Sequence, residues 1–481
     1  MPVYAIVCVC LILLYLLSRT GPKKSTRYGS GELIYRHDVL KPKNTGLLID
    51  GKLKRLAETN SYRHICVVAS SGAGKTQRYC LPNILQASSE RCLVITDPIG
   101  ELYQLTNGAL KSQGYEVEIL DFGDPLAGIR YNPFVALKNQ DDIHRICETL
   151  FTLSNDGAKT EGIWKTGAIS VLSTLLKCLM RTPDACFHNI ANLIRLLQYA
   201  NDEQKITPFI AQYAPDESTV EAWAAYQRSE EKVMAGQLSG AIACLSSFDT
   251  HKMKLLTATH DLDFAALREK KTALFFKLPV GKSARFSGLL SLIYSQLFES
   301  LLTEPLTAKS LPVYCLLEEF GNLKALPSFP EVIALIRSQK VSLSLIVQDF
   351  AQIYHRYGIQ SAQTILGNCS SWLIYAGVKS PETLKAVHDQ LGITTYTEAG
   401  SSHESARSVM TKDEVRRLEP DEALFLNTNL PGIKLTTTPL YRNKALLKRH
   451  KIRSEDGRLI PGYAPVAMPR HENEEIEYFP L

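Results

Sequence analysis

Runs of apolar residues separated by amphipathic stretches predict an α/β fold with a doubly wound parallel sheet. The first run begins near Ile65, and later runs lie at residues 92–95, 117–120, 272–278, 313–317, 342–347, 372–375 and 424–426. One amphipathic stretch keeps apolar residues at helical spacing, at Phe286, Leu289, Leu290, Ile293 and Leu297. In such sheets, ligands bind at the carboxyl ends of the strands.

Residues 141–257 break this alternation. Apolar residues recur here at the spacing of a buried helix face, at Ala168, Val171, Leu172, Leu175, Leu176 and Leu179. No run typical of a strand interrupts them. We therefore predict an all-α domain at residues 141–257, inserted into an α/β domain made of residues 46–140 and 258–440.

The start of the chain predicts a membrane anchor at residues 1–19. An apolar stretch runs from Pro2 to Ser18, and Arg19, Lys23 and Lys24 follow it. About 17 residues rising ~1.5 Å each reach roughly 26 Å, near the lower limit for crossing a bilayer. Because the cationic cluster lies after the stretch, the rest of the chain is expected in the cytoplasm. The alternative is a short buried helix. Residues 20–45 are polar and predict a juxtamembrane linker.

Near its other end, the sequence predicts a short capped helix and then a charged tail. Thr411 and Glu414 have the spacing of a capping box. Residues 441–481 are basic as far as Arg453 and acidic from Glu472 to Glu477. This composition is typical of a solvated, poorly ordered tail.

Composition restricts the possible functions only weakly. The chain has 54 Lys and Arg against 49 Asp and Glu, a net charge of +5, so any affinity for nucleic acid must come from local basic surface. The 11 cysteines include no C-x-x-C pair, which predicts neither a metal centre nor a disulfide framework.

A glycine-bearing loop after the first strand is the strongest chemical signal. It predicts a nucleotide site formed by Ser70, Ser71, Gly72, Ala73, Gly74, Lys75 and Thr76. In such a loop, backbone N–H groups surround phosphates, the lysine reaches the β- and γ-phosphates, and the threonine hydroxyl binds Mg²⁺. Position 69 is alanine where the full pattern has glycine. The alternative is a tight turn with an exposed lysine.

An acidic pair follows the apolar run at residues 313–317. We assign Glu318 to the Mg²⁺ shell and Glu319 to the attacking water, since a hydrolytic site needs both functions at strand ends. The alternative is an exposed acidic turn.

Gln348 follows the run at 342–347, where an amide could sense the γ-phosphate or orient the water. Arg337 precedes the same run and could act on a neighbouring subunit's site. The alternative for Gln348 is a strand-end amide bonded to a neighbouring loop, and the alternative for Arg337 is a surface arginine on an amphipathic helix.

Together these motifs resemble the type IV secretion coupling proteins, the TraG/TraD-like ATPases of bacterial conjugation. The matching positions are residues 69–76, 97–102, 132–133, 316–323, Gln348 with residues 352–353 and 357–358, Asn368 and 418–426. The acidic pair followed by Phe320-Gly321-Asn322-Leu323 is the most specific of them. Glu318 stands where the family commonly has aspartate, and Ile99 where it commonly has lysine.

The resemblance implies a RecA-like P-loop NTPase domain with an inserted all-α domain. It implies ATP and Mg²⁺ as cofactors and a homo-hexameric motor, anchored in the bacterial inner membrane, that brings relaxase-bound single-stranded DNA to a type IV secretion channel. Arg337 is similar in placement to the family's arginine finger, and Gln348 to its sensor amide. Two other functions stay open: a septal or repair-type DNA pump, and a non-hydrolysing adaptor that recruits protein substrates.

Overall fold

Ten strands form the main sheet of the computed structural model, which describes residues 26–86, 90–154, 162–279, 281, 283–397, 403–449, 453–455, 458–460 and 475–481. The strands within these ranges are β1 (Leu33–Ile34), β2 (Ile65–Val68), β3 (Cys92–Asp97), β4 (Glu116–Asp121), β5 (Thr272–Lys277), β6 (Val313–Leu317), β7 (Val341–Val347), β8 (Ser371–Tyr375), β9 (Ile393–Thr397), β10 (Glu404–Ser408), β11 (Glu422–Asn427), β12 (Gly432–Thr436), β13 (Arg453–Glu455) and β14 (Arg458–Ile460).

The helices that surround the sheet include one five-residue π-helix, Thr76–Cys80, directly after the predicted phosphate loop. The α-helices within the described residues are α1 (Glu58–Ser61), α2 (Leu81–Leu85), α3 (Glu101–Ser112), α4 (Gln140–Ser154), α5 (Gly162–Leu179), α6 (Ile190–Gln198), α7 (Glu203–Tyr213), α8 (Glu217–Gln227), α9 (Glu231–Leu245), α10 (His251–Leu256), α11 (Ser283–Thr303), α12 (Phe329–Leu335), α13 (Phe350–Tyr357), α14 (Ile359–Asn368), α15 (Pro381–Leu391), α16 (Lys412–Arg416) and α17 (Lys444–Arg449).

The strand order of the main sheet is β1-β12-β11-β8-β2-β7-β6-β3-β5-β4. The strands from β8 to β4 in this order run parallel to one another, while β11 is antiparallel to both of its neighbours, β8 and β12. The predicted α/β fold with a mainly parallel sheet is therefore confirmed. Apolar residues on all the central strands are buried because helices cover both faces of the sheet.

Helices α4 to α10 lie between the adjacent parallel strands β4 and β5, in the region where the sequence predicts a helical insertion. The described part of this region, which we call the helical domain, contains no strand. Helices α5 and α9 approach closely at Gly236, where a Cβ atom would lie 2.3 Å from the Trp164 ring. The hydrophobic core of the helical domain is continuous with one face of the sheet.

Both predicted flanking segments differ from expectation where they are described. Within the predicted linker, β1 pairs with β12 and Leu40 is buried, so this stretch extends the sheet. Within the predicted tail, residues 444–449 form α17, and residues 475–481 pack on the helical domain. In residues 475–481, Phe479 and Leu481 pack against the core while Glu475, Glu477, Tyr478 and Pro480 are exposed, so this part of the tail is solvated only in part.

The predicted membrane anchor at residues 1–19 lies outside the described residues. Among the residues that are described, no helix is both long and apolar enough to cross a membrane.

Candidate active site

The topology brings four predicted or candidate site segments to one edge of the sheet. Strands β2, β7, β6 and β3 are consecutive, parallel neighbours, so their carboxyl ends lie side by side. The phosphate loop follows β2, Gln348 follows β7, the acidic pair follows β6, and Asp97 ends β3. Residues far apart in the chain therefore meet at the edge where parallel sheets bind ligands.

The loop after β2 has the shape of an anion-binding turn. Gly72 and Gly74 have φ angles of 79° and 83°, in the left-handed region that side chains rarely adopt. The Ala73 N–H donates to the Ser70 carbonyl at 3.1 Å and closes the turn. No side chain caps the helix that begins at Thr76. The first N–H groups of a helix point out of its end, where they can bind an anion.

Thr76 and Glu318 form the first side-chain pair of the site. The Thr76 hydroxyl donates to Glu318 Oε1 at 3.0 Å. Glu318 is 5% exposed. Burial raises the pKa of its carboxyl to about 7, with smaller raising effects from Asp97 and Glu319, while Lys75 and the Thr76 hydroxyl oppose the rise. The carboxyl is therefore poised between its neutral and ionised forms near neutral pH.

Lys75, Glu319 and Gln348 form the second group. The Lys75 ammonium donates to Glu319 Oε1 in a salt bridge. The other carboxylate oxygen, Glu319 Oε2, accepts from Gln348 Nε2 at 3.3 Å and from Asn322 Nδ2 at 3.1 Å. Glu319 has φ 58°, a left-handed conformation that is unfavourable outside glycine. Its neighbours hold the carboxylate over the phosphate loop in spite of that strain.

Asp97 helps to shape the site, and its carboxylate is already hydrogen-bonded to backbone N–H groups. It is fully buried, and its oxygens accept the N–H groups of Gly100 and Tyr103, both at 2.8 Å. These bonds fix the start of α3. Burial raises the pKa of Asp97, although its backbone hydrogen bonds oppose that effect.

A cleft of about 360 Å³ lies between these groups. Its lining includes most of the predicted nucleotide-binding residues and both glutamates, and the complete lining is Ser71, Gly72, Gly74, Lys75, Thr76, Gln77, Asp97, Pro98, Ile99, Glu101, Leu102, Glu318 and Glu319. Ser70 and Ala73 form the turn beneath it. Ile99 is 56% exposed at its mouth.

Arg337 does not join this cluster within the chain. It is exposed, in the 3₁₀ turn Ile336–Gln339 directly before β7. The seven residues of β7 separate it from Gln348, a distance of about 23 Å along the strand. Arg337 therefore lies at the amino-terminal edge of the sheet, opposite the phosphate loop.

Two residues that contribute to the site, Asn322 and Arg78, are not predicted from the sequence. The Asn322 amide donates to Glu319, and its position three residues after that glutamate is the sequence feature that suggests the contact.

Arg78 lies on the π-helix, where its guanidinium donates to Asp421 at 2.6 Å and to the Thr437 carbonyl at 3.0 Å. A Cβ atom on Gly74 would lie 3.0 Å from Arg78 Nε, so this arginine supports the loop from below. Its partners lie more than 340 residues away, which no local pattern reveals.

The donors at this edge fit a nucleotide with Mg²⁺. The positive-φ glycines leave open space above Gly72, since a Cβ atom there would meet nothing within 4 Å. Among the described residues, no group of three or more His, Cys, Asp or Glu could hold a metal by itself. Thr76 and Glu318 offer a hydroxyl and a carboxylate to a cation, and Mg²⁺ usually takes one or two protein ligands and completes its shell with phosphates and water.

The mainly parallel sheet, with a phosphate loop and an acidic pair at the carboxyl ends of its strands, defines a protein of the P-loop NTPase class. The sequence model for type IV secretory system conjugative DNA transfer proteins matches residues 24–457. The chain belongs to this family, so the resemblance inferred from the motifs is confirmed.

One relative by sequence is the probable conjugal transfer protein TraG of Sinorhizobium fredii (strain NBRC 101917 / NGR234). It is 21% identical over 392 residues, which cover 76% of this chain and 60% of TraG. The chain thus spans 60% of the length of that relative.

Solved structures of the conjugative coupling protein TrwB share the fold. The trigonal form of TrwBdeltaN70 with sulphate matches at a TM-score of 0.69 and 16% identity, covering 89% of this chain and 98% of TrwB. TrwB has also been solved with the ATP analogue ADPNP (TM-score 0.68, 16% identity, 87% and 96% covered) and with ADP and Mg²⁺ (0.68, 17%, 87% and 95%). The predicted cofactors, ATP and Mg²⁺, agree with these complexes.

Proposed function

We propose that this chain is an ATP hydrolase that drives transfer of relaxase-bound single-stranded DNA to a type IV secretion channel. The observation that carries the proposal is the cluster of Lys75, Thr76, Glu318, Glu319 and Gln348 at one sheet edge. Family membership supports the cargo, and the nucleotide complexes of TrwB support ATP as the fuel.

In this proposal, Lys75 and the loop N–H groups bind the phosphates, and Thr76 with Glu318 holds Mg²⁺. The bound ion supplies charge neutralisation at the phosphates. Since Lys75 pairs with Glu319 here, phosphate binding would draw the ammonium away from that carboxylate. Glu319, still held by Gln348 and Asn322, is then free to orient water and accept its proton.

The proposal includes a membrane-anchored homo-hexamer with its bulk in the cytoplasm of a bacterium. The apolar sequence at residues 2–18 and the cationic residues after it support the anchor. The exposed position of Arg337 supports action on a neighbouring subunit, because this side chain lies far from the site of its own chain.

ATPase measurements on the full chain, with and without single-stranded DNA, test the proposal. We expect DNA-stimulated turnover in the wild type and its loss in Lys75→Ala. Lys52→Ala removes an exposed lysine that does not line the cleft, so it should keep wild-type turnover and serves as the matched control.

Two outcomes would contradict the proposal. DNA-stimulated turnover that survives in Lys75→Ala would refute the site. A wild type that binds ATP and never hydrolyses it would favour the adaptor that recruits protein substrates. A septal or repair-type pump predicts stimulation by double-stranded DNA in preference to single strands, so both forms should be compared.

A further inference from the structure

Residues 475–481, Glu-Ile-Glu-Tyr-Phe-Pro-Leu, lie on the helical domain as an extended segment without helix or strand. They contact the 3₁₀ turn Ala185–Phe187, helix α6 and helix α7. We call the surface that they cover, formed by Phe187, Asn192, Arg195, Phe209 and Tyr213, the peptide groove.

Asn192 binds the backbone of the segment on both sides of Tyr478. Its Nδ2 atom donates to the Glu477 carbonyl at 2.9 Å, and its Oδ1 atom accepts the Phe479 N–H at 2.7 Å. The side chain is 1% exposed and is oriented by Asn189, whose Oδ1 accepts from Asn192 Nδ2 at 3.2 Å. A buried amide that pairs with one N–H and one C=O of a peptide holds an extended backbone whatever its side chains are.

Phe479 gives the groove its side-chain selectivity. Its ring centroid lies 5.3 Å from Phe187, 5.5 Å from Phe209 and 5.7 Å from Tyr213, with edge-to-face geometry in each pair. An aromatic ring that fills an aromatic pocket is the kind of anchor that dominates peptide affinity.

A basic side chain of the groove contacts the segment. Arg195 lies 5.3 Å from the Tyr478 ring and 5.9 Å from Tyr199, and Lys205 lies 4.0 Å from the same Tyr199 ring. The segment itself carries two acidic residues, Glu475 and Glu477. The Glu477 carboxylate also faces the Cys186 thiol. Burial raises the pKa of that thiol to about 12, and the carboxylates of Glu477 and Asp184 add to the rise.

We propose that the peptide groove recognises an extended acidic segment with a phenylalanine anchor in a partner protein, and that residues 475–481 occupy it as an internal competitor. The contacts that hold the segment are those of a peptide ligand: backbone pairing, one aromatic anchor and an arginine over the Tyr478 ring. Binding of the partner segment displaces residues 475–481. This recognition goes beyond the proposed ATPase and does not depend on it.

Fluorescence anisotropy of a labelled synthetic peptide with the sequence of residues 475–481 tests the proposal. A tethered competitor has an effective concentration near the millimolar range, so the wild-type chain should bind the free peptide weakly. The full chain carrying Phe479→Ala should bind it at least about tenfold more tightly, since its own segment no longer fills the pocket. A peptide with alanine in place of this phenylalanine should bind neither chain.

Three further measurements complete the test. In the Phe479→Ala background, Asn192→Ala should remove peptide binding while the far-UV circular dichroism spectrum stays unchanged. Iodoacetamide labelling of Cys186, read by mass spectrometry, should accelerate in Phe479→Ala, because the thiol loses Glu477 and its pKa falls. Lys75→Ala should leave all these results unchanged, so failure of the ATPase and failure of the groove are distinguishable.

Equal peptide affinity in the wild type and in Phe479→Ala would overturn the proposal. So would equal binding of the peptide that lacks phenylalanine, a result that does not depend on how any protein variant folds.

Discussion

Glu319 shows how this site concentrates strain and charge in a single residue. Its backbone has φ 58°, and its carboxylate is shared among Lys75, Gln348 and Asn322. Glu318, next to it, is buried and keeps its carboxyl near the midpoint of its titration. Adjacent residues thus face opposite environments, one suited to water chemistry and the other to holding an ion.

Glu319→Gln should separate binding from turnover. The amide keeps the size of the side chain and cannot accept a proton, so turnover should fall by about 10²-fold or more while nucleotide affinity is kept or increased. Steady-state ATPase and fluorescent-nucleotide titration measure the two effects. Glu331→Gln, at an exposed glutamate on α12, is the control, and equal losses in both variants would reject the assigned role.

Glu318 should make the stability of the nucleotide-free chain depend on pH. The pKa of its carboxyl is about 7 in the folded chain and near 4.5 when unfolded, so the folded state binds the proton more tightly. The free energy of unfolding should therefore fall as pH rises from about 4.5 to about 7, by at most about 3 kcal/mol.

Denaturant unfolding without Mg²⁺ at pH 5 and pH 8 measures this effect. Glu318→Gln removes the ionisable group, so the variant should gain stability relative to the wild type at pH 8 and much less at pH 5. An identical difference at the two pH values would contradict the raised pKa.

At the scale of elements, helix starts illustrate what local sequence reveals. The capping box of α16 follows from Thr411 and Glu414 alone, and the structure has both of its bonds, at 3.2 Å and 2.7 Å. The start of α3 is different. Its N-cap residue is Gly100, and the side chain that accepts N–H groups there is Asp97, the last residue of strand β3. A strand residue that caps the next helix depends on the geometry of the turn between them.

Asp97→Ala should destabilise the fold by about 1–2 kcal/mol, since buried N–H groups lose their acceptor. Thr411→Ala, at an exposed cap, should cost less, about 0.5–1 kcal/mol. Denaturant unfolding of both variants gives the comparison. A larger cost at Thr411 would mean that Asp97 does not fix the start of α3.

At the scale of the whole molecule, Arg337 and the phosphate loop lie at opposite edges of one sheet. In a closed ring with head-to-tail interfaces, each subunit presents different surfaces to its two neighbours. Such an arrangement lets one edge supply the loop and the other edge supply the arginine, so a complete site would need two copies of the chain.

Mixing two inactive variants tests this arrangement. Lys75→Ala and Arg337→Ala should each have little ATPase activity alone. Subunits mixed in equal amounts should recover up to about one quarter of wild-type activity, since that fraction of random interfaces pairs an intact loop with an intact arginine. Full activity of Arg337→Ala alone, or no recovery in assembled mixtures, would remove the arginine from the site.

Much of the architecture follows from local pattern. The apolar runs predict the central strands because a strand buried on both faces needs consecutive apolar residues. The phosphate loop and acidic pair are also local, since a strand, a turn and a few side chains are close in sequence. Local pattern does not predict the short strands β1, β13 and β14 in the flanking segments, nor β9, β10 and β12. Strands β9 and β10 lie mostly exposed, and β12 follows the strand expected to be the last.

The sequence by itself determined the class of fold, the loop at residues 70–76, the acidic pair and the family. Only the tertiary structure decided that Glu319 pairs with Lys75, that Arg78 supports the loop through Asp421, and that residues 475–481 dock on the helical domain. Each of these contacts joins residues separated by more than 240 positions. Periodicity records which face of an element is buried, whereas the order of strands in the sheet decides which distant side chains meet.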